Sequence, residues 1–109
     1  MATLSVQTIV LGGTAPSYAA AGAGGDEFVN SGREFLHIKN GGVGSIDVTI
    51  NSQRPCDQGY DHDVVVAVGA GAEKMIGPFP KSRFDDANGK VQITYSGVSS
   101  VTVAVLQVP

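Results

Sequence analysis

The sequence has no tryptophan, only one cysteine, few charged residues and no run of lysine or arginine. Each shortage closes a class of function. A lone Cys56 excludes an intramolecular disulfide and a thiolate metal cluster. Its plain reading is an unpaired, partly buried thiol without a catalytic role. A formal net charge of −3 with no basic stripe disfavours nucleic acid, which needs clustered cations to neutralise phosphates. No apolar run approaches the ~20 residues of a membrane helix, so no membrane partner is expected. Met1-Ala2-Thr3-Leu4 lacks a basic segment followed by a long apolar one, which points to synthesis in a cytoplasm rather than secretion. Nowhere does a long stretch show helical periodicity.

What the chain has is valine, alanine and glycine. Its 109 residues fit one domain, expected to span 1–109 and to hide roughly two-thirds of the unfolded surface. Valine packs well on a pleated surface, and 15 glycines in clusters read as many turns. Scarce charge also suggests a surface covered by a partner.

The recurrent pattern is alternation of period two, which predicts strands over 3–10, 34–39, 45–51, 63–68, 73–79, 90–96 and 101–108. In the first, Leu4 and Val6 share a face. Leu36 and Ile38 oppose Phe35, His37 and Lys39. Ile46, Val48 and Ile50 point inward, with Asp47, Thr49 and Asn51 outward, and Val91, Ile93 and Tyr95 also point inward. Residues 63–68 are apolar on both faces, and 101–108 nearly so, which predicts a central or doubly covered last strand. The expected core includes Ile46, Val48, Ile50, Val66, Ile93, Val101 and Val103. Asn40-Gly41-Gly42 suits a hairpin, and Asn88-Gly89 plays the same part before the 90–96 strand. Gly69-Ala70-Gly71 and the 96–99 stretch separate further strands. The expected fold is therefore all-β: an antiparallel β-sandwich, jelly-roll-like, of about eight strands with little or no helix.

Two segments stand apart. Residues 11–25 (LGGTAPSYAAAGAGG) have almost no side-chain bulk apart from Tyr18. They read as a flexible arm or a segment lying flat against another surface, with a short strand possible around Tyr18. Residues 52–62 form a long polar loop, of the kind that is usually functional or mobile.

No constellation marks an active site. Asp57, Asp61 and Asp63 around His62, with Gly59, invite a calcium reading, but the spacing matches no EF-hand and lacks a closing glutamate. A solvated polar loop is the better account. Asp85-Asp86 reads as turn chemistry. Neither His37 nor His62 has zinc-like spacing, no G-x-S-x-G elbow occurs, and Gly22, Gly24 and Gly25 lack the G-K-[ST] of a phosphate loop. No catalytic, cofactor-binding or metal residue is therefore assigned, and the chain is read as a non-enzyme.

Two stretches carry a resemblance. The first is Gly25-Asp26, Phe28, Asn30, Gly32-Arg33 and Phe35 to Gly41. The second is Met75 to Pro80, Phe84, Asp86, Asn88-Gly89, Val91, Ile93, Tyr95 to Val98, Val101 and Val103. Together they resemble the small head decoration, or cement, proteins of tailed bacteriophages, from about residue 25 onward. The resemblance implies a virion structural protein on the capsid surface, made in the host cytoplasm. It would bind the major capsid protein, bridge capsid subunits and associate with itself as a homotrimer. A different virion β-module, attached to a tail or fibre and binding a receptor or carbohydrate, is the alternative. For that reading Tyr18 and Tyr60 are the aromatic platforms on offer. Phe28, Phe35, Phe79 and Phe84 read as core or interface aromatics, and Arg33 as a surface partner of Asp26 or Glu34.

Overall fold

The computed structural model describes residues 1–53 and 63–109. Among them the chain forms ten strands and one short helix. The strands are β1 (Ala2–Thr3), β2 (Val6–Thr8), β3 (Ala19–Ala20), β4 (Asp26–Val29), β5 (Glu34–Asn40), β6 (Ile46–Ile50), β7 (Val64–Val68), β8 (Glu73–Ile76), β9 (Lys90–Tyr95) and β10 (Val101–Gln107). The helix α1 is Lys81–Phe84. One sheet has the order β1-β4-β9-β6-β7. The other has the order β2-β10-β5-β8, with β3 also pairing β10.

The inner faces of both sheets feed one apolar cluster. Phe28, Val48, Ile50, Val91 and Ile93 come from the first sheet, and Leu36, Ile38, Val101, Val103 and Val105 from the second. Each face is built by every second residue, as the pleat requires. Phe79 and Phe84 close one margin, the Phe79 ring lying 5.7 Å from Phe28 and 5.6 Å from Phe84. β10 is central, as its apolar sequence predicts. β5 pairs with it along its whole length, while β2 and β3 share its other edge at Val105–Gln107 and at Thr102–Val103.

Several expectations need correction. The pairing is not wholly antiparallel, because β1 runs parallel to β4 and β2 parallel to β10. Parallel neighbours need long connections, and these strands have them, since each partner lies far along the chain. The 3–10 strand is two short strands in different sheets, with the chain crossing between layers at Leu4 and Ser5. Asn40-Gly41-Gly42 does not close a hairpin, because β5 and β6 belong to different sheets. The Asn40 amide instead pins a corner, donating to the Gly44 and Val68 carbonyls and accepting from the Gly42 N–H. The strand foreseen over 73–79 stops at Ile76, before Pro78, which has no N–H for a ladder. Val66 is only half-buried and Val65 and Ala67 are exposed, because β7 lies at the edge of its sheet. Val68 takes the fully buried place instead. Asp26–Val29 becomes an interior strand that alternation does not reveal, since only Phe28 of its four residues is both apolar and buried.

The 11–25 segment is tied down in its second half. Ala19 and Ala20 pair with Val103 and Thr102, and the Ala21 N–H donates to the Val101 carbonyl. The Gln7 side-chain amide exchanges two hydrogen bonds with the Ser17 backbone, both of 2.8 Å. Residues 11–13 form an exposed turn.

Candidate interaction surface

Of the carboxylates singled out in the sequence, Asp63 and Asp86 are engaged by backbone N–H groups. Cys56, Asp57, Tyr60, Asp61, His62 and the rest of the 52–62 loop after Gln53 lie outside the described residues. Asp63 accepts the Ser52 N–H at 2.8 Å. Asp86 accepts from the Asn88 and Lys90 N–H groups and from the Gln92 amide, which together lower its pKa. That is the turn chemistry foreseen for it. Among the described residues no cluster of three or more histidine, cysteine or carboxylate side chains could hold a metal ion.

The residues carrying the resemblance form the most buried polar network. Asp26 is 1% exposed, and its Oδ2 accepts from the Tyr95 hydroxyl at 2.7 Å and from the Gly22 N–H. Burial, reinforced by this carboxylate, pushes the Tyr95 phenol well above its ordinary pKa. The Asn30 amide donates to the Phe79 carbonyl and to Asp85, tying the end of β4 to the segment around α1. Glu34, also 1% exposed, accepts from the Ser31 N–H and hydroxyl, the Arg33 N–H and the Gln107 amide. Burial raises its pKa, but these bonds together outweigh burial and lower it. Both carboxylates are thus engaged away from the Arg33 guanidinium, and the expected surface pair is not formed. Gly25, at φ +90°, would bring a Cβ to 2.6 Å from the Ile93 carbonyl oxygen, so this position demands glycine. These residues specify the fold and present no reactive group to solvent.

His37 is held from both sides. The Tyr18 hydroxyl lies 2.7 Å from Nδ1, and Glu73 Oε1 lies 3.2 Å from Nε2. A neutral ring protonated on Nε2 satisfies both contacts. Lys39 Nζ sits 4.0 Å above the Tyr18 ring. The arrangement fastens Tyr18 to the outer face of the second sheet and occupies the polar tip and one face of the ring.

What remains open is apolar. Leu11, Val43, Val65, Met75 and Val108 are all more than half exposed. Beside β8 lies a shallow groove of about 460 Å³, lined by Arg33, Phe35, Met75, Ile76, Pro78 and Val108 among others. Its walls follow from register. His37 pairs with Met75, which places Met75 on the outward face that also holds His37 and, two residues before it, Phe35. The Val108 N–H donates to the Arg33 carbonyl and brings the end of β10 alongside. A Cβ at Gly77, at φ +134°, would press on Phe35 at 3.0 Å, so glycine is needed where the groove floor turns. Phe35 on the outward face of its strand is the sequence signal for this groove. The contribution of Met75 depends on pairing and is not visible locally. A second cavity, of about 410 Å³, lies along β10 where β2 gives way to β3, lined by Leu4, Gln7, Tyr18 and Ala104.

No protein-family model matches the chain, and no curated protein or solved structure is found similar to it.

Proposed function

We propose that this chain is a virion structural protein that binds the outside of a tailed-phage capsid and stabilises it by bridging capsid subunits. In this reading its partners are the major capsid protein and further copies of itself, as a homotrimer. The two sheets form a β-sandwich related to the jelly roll, and no residue is catalytic or holds a cofactor. One observation carries the proposal. Large apolar side chains stand exposed on a scaffold whose buried carboxylates, Asp26 and Glu34, are spent on internal hydrogen bonds. Such a surface suits association. The resemblance of the segments from Gly25 onward supports the capsid as partner.

Binding to the assembled shell, and not to its dissociated subunits, stabilises the shell by mass action. A trimer set on a local three-fold axis multiplies modest contacts through effective concentration. The tail- or fibre-module alternative draws no support from Tyr18, whose hydroxyl and one ring face are already engaged. The test compares heads bearing the protein with heads lacking it, under heating. Decorated heads are expected to keep their DNA at temperatures at which bare heads release it. Equal release temperatures would reject the role.

A further inference from the structure

We propose that β8 accepts an added strand from an extended, acidic segment of a partner protein. The inference rests on reading the chain as an assembly module, and it names the chemistry of the partner at one edge. Three observations converge there. Among the described residues β8 pairs only with β5, which leaves its other backbone edge unpaired. Such an edge is a template for another strand. The apolar groove of Phe35, Met75, Pro78 and Val108 lies on the outward face of the same sheet, on the paired side of β8, and Met75 is the wall of it that an incoming strand would neighbour.

The third observation is charge. Lys74 pairs with Ile38 and so shares the core-facing side of β8, yet it is exposed. Arg33 lines the groove on the opposite side. Among the described residues neither cation forms an ion pair, while Glu73, the acid on this strand, is held by His37. A lysine on the inward side of an edge strand opposes pairing of two such edges, since an antiparallel pair of β8 strands would bring two lysines close together. A carboxylate-bearing strand turns the same charge into an attraction. The edge is therefore guarded against a second copy of this chain and selective for an acidic strand with alternating apolar residues.

The full-length protein, isotope-labelled for amide NMR, is titrated with two blocked peptides of about eight residues, the length of a strand. One alternates valine and glutamate, the other valine and lysine. The acidic peptide is expected to shift the amides of Glu73 to Gly77 saturably. It should bind about fivefold more tightly than the basic one, the scale of one exposed ion pair, because its glutamates share the face that meets Lys74 while its valines face Met75. The double variant Arg33→Glu, Lys74→Glu should reverse that preference. Its unshifted core amides would report folding, and Lys74→Gln alone should weaken the acidic peptide. Equal binding of the two peptides, shifts confined elsewhere, or no saturable shift at millimolar peptide would each overturn the proposal. These results are independent of the head-heating test, so either reading can fail alone.

Discussion

Tyr95 and Asp26 show how much of this fold rests on single polar contacts. The phenol donates to a carboxylate that is almost wholly enclosed. Tyr95→Phe leaves that carboxylate short of one donor and should cost about 1 to 2 kcal/mol in urea unfolding at neutral pH. The pH dependence follows from the raised phenol pKa. The folded state holds its proton where an unfolded tyrosine would release it. This contribution is therefore full below the unfolded value of about 10 and is lost as pH rises beyond it. The wild-type urea midpoint should fall more steeply between pH 9 and 11 than that of Tyr95→Phe, and parallel slopes would contradict the assignment. Sequence inspection could identify Tyr95 as inward from its place in the alternation. It could not identify Asp26, because a carboxylate at the start of a short strand looks like a surface residue until its distant donor arrives.

At the scale of elements, faces were legible and neighbours were not. Val48 lies fully buried on β6, opposite Val66 and Tyr95, whereas Val65 on the adjoining edge strand is 59% exposed. Val48→Asp should abolish cooperative unfolding, since an unpaired buried carboxylate costs several kcal/mol. Val65→Asp should shift stability by no more than about 1 kcal/mol. Comparing the two denaturation curves checks that inner and outer faces are correctly assigned. The glycine–alanine segment divides in the same way. Residues 11–13 turn in open solvent, while Ala20 and Ala21 join the edge of β10. In the free protein the amides of Leu11 to Gly13 should exchange with solvent much faster than the Ala21 amide, whose donation to Val101 protects it. Uniformly fast exchange through Ala21 would mean that the whole segment is a loose arm.

For the whole molecule, the proposed role requires more than one copy to act together. The free protein should sediment at three times its 11.1 kDa monomer mass, or reach that state on the shell. A monomer both free and on heads would remove the trimer from the proposal. The architecture explains why so little of the exposed apolar surface is readable from local sequence. Among the described strands, every step along the chain apart from β2–β3 and β6–β7 passes from one sheet to the other. The sequence by itself determined the all-β class, the two faces of β5, the inward faces of β6, β9 and β10, and the central place of β10, because a pleat repeats every two residues and burial follows that repeat. Tertiary structure alone decided that Asn40-Gly41-Gly42 turns a corner instead of a hairpin, that β1 and β2 run parallel to their partners, and that Phe35, Met75 and Val108 meet in one groove. A turn sequence fixes how sharply the backbone bends. Which sheet receives the next strand depends on where both layers can bury their apolar faces at once, a condition no local stretch contains.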